Sequence, residues 1–559
     1  MAMEKKARHL VGYVSQRMER GALPGIDDVV ESGISSFPEL AFHFMDLMLE
    51  FYQTEPVDEK LDSQYEAALV LFEDCLIKLR FAQERRRSWA PDMVEKLQEQ
   101  IAANVFVPEV GHLLQQDILD AFKDAGLEIL PVIKSANHDL LEYYSRFGNR
   151  FEAPDLQDLI KGLEDEGVVN VYDIADLFLP QLRLLPDDED QLRILGFLAT
   201  SESERMREVV GLMLLHPDPR VRRLVPSMLI HSAEAGLVSP ITLSRMITVR
   251  NWLPENERPA LDNAIKTIRK ARVLCAPLER AEIISISSSC LDGAGTMAIW
   301  LFGKSEDGLF ASHILTRMEL GVREIWFRNL DDESEIASLD TPPDRELPHF
   351  NVSPAYLDAM ISHFISEGHQ NNLLPPMELL RIAEMLGGGR WGPFPLDEEI
   401  LLGADTHDAS LLSGFVEDSG VWGMEHGLAR SWFEDDELVD VILQDMTVDL
   451  DTIDSPAIFE EAIMEKVLEP KRKQWSVRFL ITAWWLKGAV PEPLPGWRKF
   501  LALAQKVQEG LPFNQIPLME CVAKQTLYAT MLRLSKMAME SMDENDESFL
   551  PQLNRNPEQ

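Results

Sequence analysis

Apolar side chains recur at every third or fourth position along much of the first half of the chain, and this spacing constrains the fold more than any other feature. Between Phe37 and Phe51 they fall on one stripe of a helix, which must pack against another helix to leave water. Comparable segments run from Tyr65 to Phe81, Met93 to Val105, Val110 to Phe122, Leu156 to Leu163, Val171 to Leu184, Leu192 to Leu198 and Met206 to Leu215. Short turns between helices are typical of antiparallel hairpins. We therefore predict a mainly α fold, an irregular and α-solenoid-like stack of antiparallel helical hairpins.

The periodicity changes between about residues 280 and 329, where β-branched and aromatic residues dominate and apolar residues first alternate with serine. Alternation with period two is the pattern of a strand with one buried face. Asp-Gly pairs at 292–293 and 307–308 separate three of the four runs, and such pairs suit hairpin turns because they tolerate positive φ. The sequence therefore predicts a small antiparallel β module of four strands near the middle of the chain.

Five segments follow from these patterns. They are a helical hairpin stack at 1–278, the β module at 279–330, an acidic linker at 331–352, a Trp-rich helical domain at 353–545 and a disordered tail at 546–559. Large aromatic side chains most often serve helix cores, so we expect the tryptophans of the fourth segment to be buried. These are Trp391, Trp422, Trp432, Trp475, Trp484, Trp485 and Trp497.

The charge balance is strongly acidic. The 559 residues include 94 Asp and Glu against 53 Lys and Arg, a formal net charge of −41. Such a field repels phosphate backbones, so general nucleic-acid binding is disfavoured and a basic protein partner is favoured. Short basic clusters at 85–87, 220–223 and 471–473 are interpreted as solvated helix surface.

The sequence has none of the features that are typical of secreted proteins, membrane proteins or proteins stabilised by structural zinc or disulfides. The most apolar stretch, Phe479 to Leu486, is less than half the length of a membrane-spanning helix. The four cysteines form no CxxC pair, which argues against structural zinc and a disulfide framework. We therefore expect a cytoplasmic protein without membrane contact and without a cofactor. Its oligomeric state is left open.

One motif resembles a known family. His216-Pro217-Asp218-Pro219-Arg220-Val221-Arg222 is similar to the opening of the second helix of a HEAT-type repeat, and the similarity covers residues 216–230. Asp218 can cap the helix and Pro219 suits its first turn. The resemblance implies stacked helical hairpins that bind proteins, and an arginine at 222 that reaches a neighbouring acidic residue. Pro226 departs from the pattern because it interrupts the backbone hydrogen bonds.

A second resemblance concerns metal chemistry. His407-Asp408, with His363 upstream on a helix, is similar to the HD phosphohydrolases, whose adjacent His and Asp bind a divalent ion that activates water. Surface or structural histidines are the alternative interpretation. The acidic group from Glu434 to Asp454 lacks the glycine and ligand spacing of a calcium loop and is interpreted as a solvated acidic face.

Residues 291–296, Leu-Asp-Gly-Ala-Gly-Thr, resemble the phosphate-binding hairpin of the sugar-kinase and actin-type ATPases. Glycine N–H groups could approach a phosphate there. The same residues also form an ordinary hairpin turn, and the turn is favoured because the strands and helices of that α/β fold do not follow.

Three functional hypotheses remain. The leading one is a protein–protein interaction scaffold or adaptor, with no catalytic activity assigned, because stacked hairpins offer extended contact faces. The alternative is a metal-dependent, HD-like phosphohydrolase that uses His363, His407 and Asp408. The third is an acidic mimic of a nucleic acid, which requires regularly spaced carboxylates on one face.

Overall fold

A computed structural model of the chain describes residues 2–20, 30, 34, 37–54, 59–147, 170–184, 188–278, 280–339, 348–388, 391–402, 414–423, 431–447 and 456–543. Over these residues the molecule is built from helices and one small antiparallel sheet, which confirms the predicted fold class.

The helices that precede the sheet are α1 (Ala2–Glu19), α2 (Leu40–Gln53), α3 (Glu59–Glu84), α4 (Ala90–Asn104), α5 (His112–Asp124), α6 (Pro131–Phe147), α7 (Val171–Leu184), α8 (Asp188–Thr200), α9 (Glu204–Leu212), α10 (Pro219–Glu234), α11 (Pro240–Arg250) and α12 (Arg258–Lys270). The later helices are α13 (Ser334–Leu339), α14 (Pro354–Gln370), α15 (Glu378–Met385), α16 (Glu398–Leu402), α17 (Ser419–Trp422), α18 (Glu437–Thr447), α19 (Ala457–Ile463), α20 (Arg472–Lys487), α21 (Trp497–Gln508) and α22 (Pro517–Asp543). Short 3₁₀ turns at Met213–Leu215, Glu469–Lys471 and Phe513–Gln515 and a π-helical turn at Met464–Leu468 complete the helical structure of the described residues.

The chain divides into two compact units. The first comprises Met1–Val168, Asp176–Gln191 and Arg533–Gln559, and the second comprises Val169–Ala175 and Leu192–Leu532. This division differs from the predicted segments, because the helices from α9 to α12, the sheet and most C-terminal helices form one unit. The predicted tail at 546–559 lies outside the described residues.

In the first unit, the apolar stripes of α1 to α6 meet in one core. Phe72 of α3 and Phe122 of α5 lie edge to face at 6.3 Å between ring centroids. This packing follows directly from the spacing of three and four seen in the sequence.

In the second unit, α9 and α10 form a helix pair that packs on the next pair, α11 and α12. Side-chain caps set two of the helix starts. Asp218 accepts a hydrogen bond from the Arg220 N–H at 2.8 Å, and Ser239 accepts one from the Thr242 N–H at 3.4 Å. Each capping residue is followed by proline at the first helical position, where no N–H is needed.

Arg222 is buried and ion-paired. Its Nε and Nη2 donate to the two carboxylate oxygens of Glu257 at 2.9 and 2.8 Å, and its Nη1 donates to the carbonyls of His216 and Pro217. The expected contact between Arg222 and an acidic residue is therefore present. The interpretation of this basic cluster as solvated surface is wrong for Arg222, because burial of a guanidinium requires a carboxylate partner.

The sheet contains five strands, in the order β4-β3-β2-β1-β5, with every neighbouring pair antiparallel. They are β1 (Glu282–Ser289), β2 (Thr296–Ser305), β3 (Gly308–Arg317), β4 (Gly321–Leu330) and β5 (His349–Asn351). Ile299, Ile314 and Ile325 lie side by side on its inner face, and β4 contacts α14. The predicted four-stranded module thus lacked β5.

The segment predicted as an acidic linker, 331–352, contains α13 and β5. Both are short, and three residues of strand are too few for a period-two signal. Residues 340–347 lie outside the described part of the chain.

Tryptophans fill the core of the C-terminal helices, as predicted. Trp432 lies between Trp475 and Phe500, and its indole Nε1 donates to the carbonyl of Leu291 at 2.9 Å. Of the seven predicted core tryptophans, all but the half-buried Trp484 are buried.

Among the described residues, no helix combines the length and the apolar character that a membrane span requires.

Candidate interaction surface on the sheet

Three aromatic side chains form a row across the outer face of the sheet. The strand register pairs Trp300 of β2 with His313 of β3, and His313 with Trp326 of β4. The Trp300 and His313 rings stack at 4.9 Å and 12°, and the His313 and Trp326 rings at 4.9 Å and 24°. Cross-strand aromatic neighbours of this kind stabilise a sheet and fix each other's orientation. We call Trp300, His313 and Trp326 the aromatic row.

The aromatic row leads from the interior to the solvent. Trp300 is only 6% exposed and packs with Phe302 and Leu330 under the apolar side chains of α13. Trp326 is 53% exposed. A large indole is therefore held rigidly at the surface by a stack whose other end is anchored in a small core.

The surroundings of the aromatic row contain several acidic side chains and an arginine. Arg328 follows Trp326 by two residues on the same face of β4 and is ion-paired with Glu335. Glu324 precedes Trp326 by two residues and so lies on the same face of β4. Asp331, Asp332 and Glu333 follow the strand and are exposed. Hydrogen bonds from Ser334 lower the pKa of the Asp332 carboxyl. This edge of the sheet thus combines an exposed aromatic ring with negative charge.

His313 is held neutral within the aromatic row. Burial between the two indoles lowers the pKa of its imidazole from 6.5 to about 4. Its Nε2 is buried without a hydrogen-bond partner among the described residues. A protonated ring would lose more hydration here than a neutral one, so the neutral form is favoured.

We expect His313→Phe to reduce the amount by which the free energy of unfolding falls at acidic pH. The unfolded chain takes up a proton at this position below pH 6.5 and the folded chain only below about 4. Falling pH therefore stabilises the unfolded state across that window, and the wild type should lose about 2 kcal/mol more than the variant between pH 7 and 4.5. Urea unfolding at a series of pH values measures this difference.

His349→Phe is the matched control, because His349 is exposed on the edge strand β5 of the same sheet. A loss of pH dependence that is larger in His313→Phe than in His349→Phe would assign the effect to the buried ring. Equal pH dependence of the wild type and His313→Phe would contradict the burial of a neutral imidazole.

The structure places only one of the predicted metal ligands. His363 lies on α14, fully buried, where desolvation lowers its pKa to about 4. Its Nδ1 accepts a hydrogen bond from the Leu396 N–H at 3.4 Å. His407 and Asp408 lie outside the described residues, and the described residues contain no cluster that could hold a metal ion. The metal site stays a prediction.

Residues 291–296 form a partly buried turn, with Leu291, Gly293 and Gly295 buried. The Thr296 N–H donates to Asp292 Oδ1 at 2.7 Å, and the Arg478 Nη1 donates to the Gly293 carbonyl at 3.0 Å. A Cβ on Gly293 would overlap the carbonyl oxygen of Ser431. The backbone at Gly293 therefore approaches another segment of the protein, as the turn interpretation allows.

Part of the acidic group after Glu434 is ion-paired. Lys471 Nζ lies 2.8 Å from Glu434 Oε2 and 2.7 Å from Asp436 Oδ2, and Glu434 is buried. The interpretation of Glu434 and Lys471 as solvated surface is therefore wrong. Residues 448–455 lie outside the described part of the chain.

Sequence reasoning did not single out the aromatic row. Each of its members sits in a recognisable strand, but only the register between strands brings the three rings together. The available signal was a large aromatic residue, Trp326, at a position of β4 that the alternation assigns to the outer face.

Two regions of the chain are similar to described domain families. Residues 187–272 match the family model of the Y4lR second domain, and residues 398–531 match that of the Y4lR C-terminal helical domain. No curated protein and no solved structure matches the chain. The two matches do not bear on the resemblance to HEAT repeats, which stays a prediction.

Proposed function

We propose that this protein is a protein–protein interaction scaffold or adaptor, acting in the cytoplasm, that binds a basic segment of a partner through the outer face of its sheet. The observation that carries the proposal is the half-exposed indole of Trp326 at the end of a rigid, anchored stack.

The aromatic row has the properties of a binding hot spot. Tryptophan is enriched among the residues that dominate interface energies, and a rigid ring loses little conformational entropy on binding. Since stacking on His313 fixes the ring before a partner arrives, its apolar face is preorganised.

The charge of the chain supports a basic partner. A net charge of −41 raises the encounter rate with a cationic segment, and the carboxylates near β4 place negative charge beside the ring. An Arg or Lys side chain over the face of Trp326 would gain a cation–π interaction of about 1 kcal/mol.

The test is affinity capture from a cell extract at low and high salt, followed by calorimetry with the purified partner. We expect Trp326→Ala to raise Kd at least 30-fold, roughly the 2 kcal/mol of a hot-spot residue. Trp89→Ala is the matched control, because Trp89 is 40% exposed and lies in the other unit.

The control should change Kd less than twofold, and binding by the wild type should weaken at high salt. A partner that binds Trp326→Ala as tightly as the wild type would rule out this surface. A partner segment without basic residues would rule out the electrostatic part of the proposal.

A further inference from the structure

A cluster of positive charge interrupts the acidic sequence at the end of α12. Residues 263–278 contain no Asp or Glu, although Asp and Glu together account for 94 of the 559 residues of the chain. The same stretch carries Lys266, Arg269, Lys270 and Arg272, all of them exposed. We call these four residues the basic patch.

None of the four side chains makes an ion pair within the part of the chain that the structure describes. The nearest carboxylate along α12, Asp262, is paired with Arg250. Lys266, Arg269 and Lys270 line a shallow depression on the surface of the helix together with Ile265 and the paired Asp262. The basic patch thus presents uncompensated charge to the solvent.

Helix stability explains only part of this arrangement. Arg269 and Lys270 lie in the last turn of α12, where cations interact favourably with the helix dipole. Lys266 lies a turn earlier and Arg272 lies beyond the helix, so neither gains much from the dipole. Because Asp262 is already paired with Arg250 and residues 263–278 contain no carboxylate, the mutual repulsion of the four cations is only weakly relieved.

An apolar side chain completes the surface. Leu274 is 79% exposed, two residues after Arg272, which turns the chain with a φ of +65°. Protein interfaces commonly combine an apolar centre with a polar or charged rim. An exposed leucine beside unpaired cations has this composition.

We infer that the basic patch and Leu274 bind an acidic, Asp- and Glu-rich segment of a partner protein that also carries an apolar residue. Charge complementarity selects an anionic ligand. A short acidic segment meets the four cations within a Debye length, whereas an extended nucleic acid must also approach the field of a chain with charge −41. This surface belongs to other elements than the aromatic row and requires a ligand of opposite charge.

The test is fluorescence anisotropy of the full-length protein with a labelled 15-residue peptide of Asp, Glu and Leu. The comparison probes are the same peptide with Asn and Gln in place of the acids, and a single-stranded oligonucleotide of equal length. We expect the acidic peptide to bind at least tenfold tighter than either comparison probe, with affinity that falls as salt rises.

Charge reversal locates the site. Lys266→Glu with Lys270→Glu should weaken binding of the acidic peptide at least tenfold, and Leu274→Ser about threefold. Lys96→Glu with Lys524→Glu is the matched control, because both lysines are exposed and the net charge changes equally. It should weaken binding less than twofold.

Equal losses in the two double variants would show a general charge effect and overturn the site. Tighter binding of the oligonucleotide would overturn the choice of ligand, as would equal binding of the acidic and neutral peptides. Sedimentation of the wild-type protein adds a separate check. Self-association abolished by the Lys266→Glu and Lys270→Glu changes would assign the site to a second copy of this chain and overturn the inference of a different partner.

Discussion

Arg245→Met is expected to lower the free energy of unfolding of the second unit by about 4 kcal/mol, because the change leaves two carboxylates, only 15% and 14% exposed, without a counter-charge. Arg245 is only 5% exposed. Its Nε donates to Glu384 Oε1 at 2.7 Å, and its Nη1 lies 3.3 Å from Glu208 Oε2. Urea unfolding followed by tryptophan fluorescence measures the loss.

The triple variant Arg245→Met, Glu208→Gln, Glu384→Gln distinguishes two costs. One is the loss of the ion-pair attraction, and the other is the burial of carboxylates that have no counter-charge. We expect the triple variant to recover at least half of the loss, because amides can be buried at lower cost than carboxylates. Arg245→Met within 1 kcal/mol of the wild type would contradict the burial of this charge network. The same would follow if the triple variant were less stable than the single one.

This network shows why part of the molecule was not predictable. Glu208, Arg245 and Glu384 come from α9, α11 and α15, and the last two are separated by 139 residues. A single sequence carries no signal for a contact at that distance. Periodicity places each helix, but it does not choose which polar residues of neighbouring helices meet.

Local sequence patterns predicted the structure correctly where interactions between nearby residues determine it. The apolar stripe from Phe37 to Phe51 predicted a buried helix face, and α2 buries Leu40, Phe44 and Met48. The Asp-Pro pair at 218–219 predicted a helix start, and Asp218 accepts a hydrogen bond from the Arg220 N–H at 2.8 Å. In both cases, residues within one or two turns decide the outcome.

The two proposed contact surfaces differ in how much the sequence could have revealed. The aromatic row depends on strand register, which links residues 13 positions apart in two successive hairpins. The basic patch is visible in the sequence as a stretch without acidic residues. Its four cations are spread over seven positions and so form no compact basic run, whereas one of the compact runs contains the buried Arg222.

The two proposed surfaces also differ in the charge of the ligand that each would select. The sheet presents an aromatic ring amid negative charge, and the end of α12 presents positive charge beside a leucine. Since the two surfaces favour ligands of opposite charge, one partner cannot easily occupy both. Selectivity of this kind depends on the repulsion of the wrong partner as much as on attraction of the right one.

The second large effect is expected at the junction of the sheet and α14. Gly321 begins β4 with a φ of +81°, and a Cβ there would lie 2.6 Å from the carbonyl oxygen of Phe364 and 2.9 Å from the Cα of Gly368. These are backbone atoms of a helix, which cannot move aside as a side chain can. Gly321→Ala should therefore lower the free energy of unfolding by about 4 kcal/mol, the sum of the strain of a left-handed alanine and the overpacking against α14.

Gly236→Ala isolates the strain from the overlap. Gly236 has a similar φ of +73°, and a Cβ there would meet no atom within 4 Å. Gly236→Ala should lower the free energy of unfolding by only about 1 kcal/mol in the same urea titration. Equal losses in the two variants would mean that backbone conformation accounts for the whole effect, and that strand β4 does not press its backbone against α14. A loss at least 2 kcal/mol larger in Gly321→Ala would establish that close approach, which holds the sheet carrying the aromatic row against the helical core.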